Sequence, residues 1–276
     1  MKFTKMHGIG NDYIYVDCFK ETVADPEGLA LKYSDRHKGI GGDGVILIMP
    51  SEVADFRRRM FNADGSEGKM CGNGTRCVGK YVYDRGLTDK TEITLETLSG
   101  IKYLTLHPEN GEVKSVTVDM GLCSFAPADI PLSTDCEQVK APLNVCGRDW
   151  EITCVSMGNP HCVIFTEGIA DMELEKIGPH FENHPLFPER VNTEFIEVVD
   201  PTHLKMRVWE RGSGETMACG TGACATVAAA VKCGICREDT PVTVSLLGGD
   251  LSITYSGGKL FMTGPAEIVF DGEIKE

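Results

Sequence analysis

The stretch that decides the fold is Met70 to Gly86, M-C-G-N-G-T-R-C-V-G-K-Y-V-Y-D-R-G. Cys71 stands directly before a Gly-x-Gly turn. An apolar, helix-like run follows and is closed by Gly86 as a helix C-cap. The plan returns at Ala218 to Gly234, A-C-G-T-G-A-C-A-T-V-A-A-A-V-K-C-G, where Cys219 precedes the same turn and Gly234 ends an alanine-rich run. The kernels are C-G-N-G-T-R-C at Cys71 and C-G-T-G-A-C at Cys219, the second one residue shorter. One such loop is a weak signal. Two, each with a thiol at the start of a helix, predict two thiols that face a common site.

The match extends outward. Asn11, after Gly10, lies 60 residues before Cys71, and Asn159, after Gly158, lies 60 before Cys219. Asn62 precedes Cys71 by nine residues, as Glu210 precedes Cys219. Each half reads as strands, helix, two strands, loop, cysteine, helix, strands. That is an internal duplication, which predicts two similar α/β (α+β) domains related by a pseudo-two-fold axis, with a small-molecule cleft at their interface. Asp25-Pro26 has the chemistry of a helix start, and Asp171 is expected to open a second short helix to about Phe181. Turn signals at Ser99-Gly100 and Asn110-Gly111 separate strands of the first half.

Bulk properties exclude several functions. The 276 residues suit two domains of ordinary size, and 42% hydrophobic with 25% charged residues is a globular composition. A net charge of −14 argues against nucleic acid or an anionic membrane as partner. No apolar run approaches the ~20 residues of a membrane span. Met1 to His7 lacks the apolar core of a signal peptide, so the expected location is cytoplasmic. Twelve cysteines in such a chain do not read as a disulfide scaffold. The C-x-x-C at Cys233 to Cys236 has no second ligand pair, so no metal site is expected, and most of the remaining cysteines read as small buried hydrophobes.

A thiol at a helix N-terminus has a lowered pKa, because unpaired backbone N–H groups and the helix dipole stabilise the thiolate. The reference value is ~8.5, so a modest shift gives a usable base near neutrality. The same N–H groups hold carboxylates, and Gly72, Gly74, Gly220 and Gly222 let the backbone come close to one. Two such helix starts would grip one substrate carboxylate and place a sulfur on each face of its α-carbon. One thiolate would remove the proton and the other thiol return one to the opposite face, inverting the centre without a cofactor. The carbanion demands preorganised donors in a dry site, hence domain closure.

Blander readings compete. Gly220-x-Gly222-x-x-Ala225, with Asp239 downstream, fits a dinucleotide fingerprint, but the preceding strand is expected to end at Trp209 and Cys77 replaces the last glycine of the first copy. Both cysteines could be structural, which either loop alone would suggest and the matched pair argues against. A Cys71–Cys219 disulfide would be a liability rather than the function. His161 reads equally as a core histidine on a strand or as a thiol-tuning group. Glu210 could be a solvated charge, although its match to Asn62 and its neighbour Arg211 favour a role.

The sequence resembles the diaminopimelate epimerases. The resemblance rests on M-C-G-N-G-T-R-C (Met70 to Cys77), A-C-G-T-G-A-C (Ala218 to Cys224), H-G-I-G-N-D-Y (His7 to Tyr13), D-R-H-K-G-I-G-G-D-G (Asp35 to Gly44) and F-N-A-D-G-S (Phe61 to Ser66). It extends to M-G-N-P-H (Met157 to His161), R-V-N-T-E-F (Arg190 to Phe195) and W-E-R-G-S-G-E-T (Trp209 to Thr216). It implies interconversion of L,L- and meso-diaminopimelate without pyridoxal phosphate or other cofactor, in lysine and peptidoglycan precursor synthesis. It implies Cys71 and Cys219 as the acid/base pair, with His161 and Glu210 tuning them. The amides around Gly72-Asn73 and Gly220-Thr221 would bind the reacting carboxylate, and Asn11, Asn62, Asn159, Asn192, Glu210 and Arg211 would hold the substrate. The implied domains are 1–119, joined by a returning strand within 264–276, and 120–263. Each is a mixed sheet curled around its cysteine-led helix.

The family also implies a homodimer, and Phe270 falls where some members carry a tyrosine linked to dimer contacts. Some members use a glutamine where this chain has Gly44, so a contact there must use backbone or be absent. Relatives on the same fold compete. Proline racemase-like enzymes tend to have a histidine where Asn73 stands, and phenazine-biosynthesis-type isomerases lack the cysteine pair. An amino-acid-binding protein without catalysis is the alternative from another class. Asn73, Arg76 and the polar set favour a long, doubly zwitterionic substrate.

Overall fold

In the computed structural model residues 1–133 and 140–275 are described. The chain divides into two compact units, Met1–Asp119 with Thr263–Glu276, and Met120–Met262. The first unit contains β1 (Lys2–Gly8), β2 (Asn11–Asp17), α1 (Pro26–Tyr33), β3 (Gly44–Met49), β4 (Phe56–Asn62), α2 (Gly72–Asp84), β5 (Glu92–Thr97), β6 (Gly100–Glu109) and most of β7 (Glu112–Leu122), whose last three residues belong to the second. The pairing β1/β2 is antiparallel, β2/β3 parallel, β3/β4 antiparallel, β4/β5 parallel and β5/β6 antiparallel.

The second unit contains β8 (Ala141–Val145), β9 (Arg148–Ser156), β10 (Pro160–Phe165), α3 (Leu174–Glu182), β11 (Asn192–Asp200) and β12 (His203–Glu210). It continues with β13 (Gly214–Glu215), α4 (Gly220–Lys232), β14 (Val242–Leu246), β15 (Gly249–Ser256) and β16 (Lys259–Gly264). Here β9/β10 is antiparallel, β10/β11 parallel, β11/β12 antiparallel, β12/β14 parallel and β14/β15 antiparallel. The two mixed sheets therefore alternate in the same order. The last strand, β17 (Glu267–Glu273), pairs antiparallel with β1.

Each sheet wraps its cysteine-led helix. Helix α2 packs on β1, β2 and β6, and α4 on β9, β10, β11 and β15. A helix lying on a flat sheet buries one stripe. In α2 every residue from Gly72 to Val82 is buried, and in α4 nearly every residue from Gly220 to Ala230. Burial on all sides requires the sheet to curl. The run Ala228-Ala229-Ala230 is fully buried because small side chains let strands approach on every face. Strand β3 reads Val45-Ile46-Leu47-Ile48, buried throughout, as befits a strand covered on both faces.

Both helices end alike. Gly86, at φ +70°, donates to the Tyr83 carbonyl while Leu87 N–H reaches Val82. Gly234, at φ +74°, donates to Val231 while Ile235 reaches Ala230. This paired pattern requires a left-handed residue at the helix end, which glycine adopts without a Cβ penalty.

Three expectations need correction. Asp171 does not open a helix. Ile169–Asp171 is a single 3₁₀ turn, Met172 is extended, and α3 begins at Leu174. Strands β8 and β13 went unread, the first because its A-P-L-N-V sequence carries proline. Among the described residues, the cysteines beside the proposed pair are not mostly buried. Cys77, Cys162, Cys224 and Cys236 are, but Cys18, Cys123, Cys154 and Cys233 are half-buried and Cys146 is exposed. Cys146 sits at φ +52° in the turn between β8 and β9, where its side chain points to solvent.

Candidate active site

In the first unit Cys71 is the N-cap of α2, with extended backbone at φ −148° and ψ 108°. A helix begins here because the cap side chain satisfies a first-turn amide that has no partner within the helix. Sγ accepts from Gly74 N–H at 3.2 Å and donates to Asn11 Oδ1 at 3.2 Å. A Cβ at Gly74 would lie 2.6 Å from Ile46 Cδ1, so any larger residue here would push the Ile46 side chain aside. Asn11 is held in turn by Asp43, which accepts from its Nδ2 at 2.7 Å. Burial raises the Asp43 carboxyl, with the Asp12 carboxylate adding to the shift.

Beneath Cys71 lies Arg58 on β4, only 2% exposed. Its guanidinium donates to the carbonyls of Cys71 and Lys69 at 3.2 Å each, fixing the segment that enters the helix. Burial lowers its pKa, and a negative charge at Cys71 would raise it again. The cation and the thiolate are therefore mutually stabilising. Tyr13 couples to the same sulfur with the opposite sign, its hydroxyl being raised first by burial and then by charge on Cys71.

In the second unit Cys219 caps α4 at φ −122° and ψ 106°, and its Sγ accepts from Gly222 N–H at 3.3 Å. The surroundings carry the opposite charge. Burial pushes the Cys219 thiol well up, and the carboxylates of Glu210 and Glu194 push it further; Thr221 and the Gly222 amide oppose them. Glu210 is raised as well, by burial first, while hydrogen bonds from Thr216 and Cys219 pull it down. A chain of polar contacts leads away from the sulfur. Thr221 Oγ1 lies 3.6 Å from Sγ, Asn159 Nδ2 donates to Thr221 at 3.4 Å, and Asn159 Oδ1 lies 3.1 Å from His161 Nε2. His161 Nδ1 lies 2.6 Å from Glu194 Oε1.

Within the first unit, then, Cys71 and Asn11 come together at the start of α2, where Gly72 and Asn73 form its first turn. Asn62 ends β4 and donates to Ser66 at 3.0 Å. Gly44 pairs with Asn62 in register, and an added Cβ would lie 2.0 Å from the Phe61 carbonyl at φ +155°. No side chain fits at position 44. Within the second unit Cys219, Thr221, Asn159, His161 and Glu210 form one network around Gly220. Both ring nitrogens of His161 are engaged, and it is linked to the thiol through Asn159 and Thr221 and through the carboxylates of Glu194 and Glu210. Asn192 accepts from the backbone of Arg211 at 2.9 Å, and the Arg211 guanidinium donates to the Glu189 carbonyl at 2.8 Å. Phe270 lies on β17, 45% exposed, with its ring edge-on to Phe3 at 6.0 Å.

Comparison with known proteins decides the family. A family model described as diaminopimelate epimerase matches residues 3–126 and 153–269. The chain belongs to the diaminopimelate epimerase family. The diaminopimelate epimerase of Acetivibrio thermocellus is 57% identical over 277 residues, covering 99% of this chain and 98% of that one. That of Agathobacter rectalis is 56% identical over 284 residues, covering 99% of each. Among solved structures, a probable proline racemase from Agrobacterium radiobacter K84 has a TM-score of 0.74 at 15% identity, covering 99% of this chain and 92% of that one. A phenazine biosynthesis protein of the PhzF family from Bacillus anthracis has a TM-score of 0.73 at 20% identity, covering 100% and 99%. At those identities the likeness shows the fold, a mixed α/β architecture.

Four charged side chains near the two helix starts are assigned no role by the sequence motifs: Asp43 and Arg58 in the first unit, Glu182 and Glu194 in the second. Glu182 is buried, accepts from Trp209 Nε1 at 2.8 Å and Gly212 N–H at 2.9 Å, and so anchors the Glu210–Gly212 corner. For Glu194 a signal existed: an acidic residue directly before the apolar run F-I, two residues after Asn192. Arg58 sits in the repeated R-R-R of β4, where alternation alone should have marked it as the inward member.

Proposed function

We propose that this protein is a cofactor-independent epimerase that interconverts L,L-2,6-diaminopimelate and meso-diaminopimelate in the cytoplasm, in lysine and peptidoglycan precursor synthesis. The observation that carries the reading is the matched pair of helix starts. Each is capped by a cysteine whose sulfur accepts a first-turn glycine N–H, from Gly74 in one half and Gly222 in the other. Membership of the family supports the substrate.

Cys71 and Cys219 are the acid/base pair, one from each half. Their environments differ in a way that sets the resting proton inventory. Cys219 lies among carboxylates and keeps its proton. Cys71 lies above a buried guanidinium and against an amide N–H, which favour the thiolate once the proton that Sγ shares with Asn11 Oδ1 has left. In one direction Cys71 removes the α-proton and Cys219 delivers the other; in the reverse direction the roles exchange. First-turn amides at Gly72-Asn73 and Gly220-Thr221 take the carboxylate of the reacting centre, a helix-terminus anion site on each side. Asn11, Asn62, Asn159, Asn192, Glu210 and Arg211 hold the rest of the substrate. A homodimer with Phe270 among its contacts completes the reading.

The test is incubation of reduced protein with L,L-diaminopimelate in deuterated water without added cofactor. Deuterium at one α-carbon of meso product is expected, and it should be lost in Cys71→Ala and in Cys219→Ala. Labelling of proline or hydroxyproline in place of diaminopimelate would overturn the substrate. Absence of exchange with any of these amino acids would overturn the epimerase.

A further inference from the structure

We infer that Glu194 is a positioning residue that acts through His161 to fix the side-chain amide of Asn159 with its NH₂ group turned toward the start of α4. The inference rests on the epimerase reading for its consequence, not for its geometry. Glu194 and His161 are both 0% exposed. His161 Nδ1 is 2.6 Å from Glu194 Oε1, while Oε2 has no partner. His161 Nε2 is 3.1 Å from Asn159 Oδ1, and Asn159 Nδ2 is 3.4 Å from Thr221 Oγ1.

Proton counting distinguishes two arrangements. In the first, Nε2 carries a proton and donates to Asn159 Oδ1, while a second proton is shared between Nδ1 and Glu194. The pair is then net neutral, as ion pair or as acid and imidazole. In the second, Nε2 is bare, the Asn159 amide is turned over to donate to it, and Nδ1–H donates to a Glu194 that is either a lone anion or an acid with its proton on Oε2, where no acceptor lies. A fully buried carboxylate with a neutral partner, or a buried hydroxyl without an acceptor, is the costlier state. The carboxylate therefore keeps a proton on Nε2. Asn159 Oδ1 is thereby occupied, and its NH₂ is left to face Thr221 and whatever anion α4 receives. Register explains why Glu194 reaches. In the parallel pair β10/β11, His161 lies opposite Asn192, and Glu194, two residues on, shares that face.

The experiment uses the full chain with ¹⁵N-labelled histidine at neutral pH. A proton on His161 Nε2, seen as a one-bond ¹⁵N–¹H coupling, is expected in the wild type. A bare Nε2 in the wild type would overturn the inference, and this measurement needs no variant to fold. In Glu194→Gln the Nε2 proton should be lost or divided between tautomers. KM for diaminopimelate should rise about 10-fold, the loss of one oriented donor, with a smaller change in kcat. A merely structural role would instead lower the melting temperature and leave KM of the folded protein unchanged, which would also overturn it. In a His161→Gln background the Glu194→Gln change should add little to KM, since its effect passes through the ring; additive effects would refute the route. If the wild type fails to epimerise diaminopimelate, the NMR result still decides the proton on Nε2.

Discussion

Replacing Cys71 by serine and by alanine separates the capping contact of the sulfur from the proton transfer proposed for it. As N-cap, Sγ accepts from Gly74 N–H at 3.2 Å. Alanine removes the acceptor. A lost cap costs about 0.5–2 kcal/mol, and here α2 is buried along most of its length, so water is a poor substitute for the missing partner. A loss of about 2 kcal/mol corresponds to roughly 4–8 °C in melting temperature for a chain of this size. Serine is among the best capping residues, so Cys71→Ser should cost at most about 0.5 kcal/mol, or 1–2 °C. Proton transfer follows another rule. A hydroxyl in place of the thiol is a far weaker acid, and removing a positioned acid/base group costs about 10²–10⁴ in rate. Both variants should therefore lose α-deuterium exchange by at least about 100-fold, while only alanine loses stability. The assays are a thermal melt of reduced protein and mass spectrometry of product formed in deuterated water. A serine variant as unstable as alanine would refute the capping role, and one that exchanges near the wild-type rate would refute the thiol as the proton carrier.

Three further outcomes are expected. Iodoacetamide at neutral pH should label Cys71 well before Cys219, because Cys219 is buried and its thiol is raised by burial and by Glu210 and Glu194; Glu210→Gln should speed labelling of Cys219. Peptide mass spectrometry reads both, with Cys77, pushed up to about 12 by burial, remaining unlabelled as control. Gly44→Gln should lower the melting temperature by the equivalent of about 2 kcal/mol or more, since its Cβ would meet the Phe61 carbonyl at 2.0 Å; an undiminished melt would show that β3 can shift. Burial raises the Asp12 carboxyl, but hydrogen bonds from Arg36 and Lys5 outweigh it, so its folded pKa lies below the usual value. The stability it carries is present above about pH 4 and is lost as pH falls through the lowered value. Asp12→Asn should therefore be less stable at pH 7, with the gap to wild type narrowing below about pH 4 and closing once pH falls beneath the lowered folded value, as read in urea melts.

Much of the fold was legible because the chain carries its plan twice. Glycine after a helical run, cysteine before a Gly-x-Gly turn and proline after Asp25 are local signals, and α2, α4 and α1 begin and end where those residues say. Asp171 misled because a capping residue specifies a helix only when the next residues continue it, and Met172 does not. The short strand β13 went unread because two residues hold no period; it exists by pairing with Trp209 and Glu210.

Sequence alone was enough to bring out the two cysteine-led helices, the repeated spacing to Asn11 and Asn159, and the family resemblance. All of these are properties of order along the chain. Only the tertiary structure decided the charges that each thiol meets. Arg58 reaches the Cys71 carbonyl across 13 residues, and Glu194 reaches His161 across 33. Strand register sets both approaches, and their strength comes from burial, which removes the water that would otherwise screen a guanidinium from one sulfur and two carboxylates from the other. The helix starts look alike in sequence, and burial with strand pairing gives them different electrostatic surroundings.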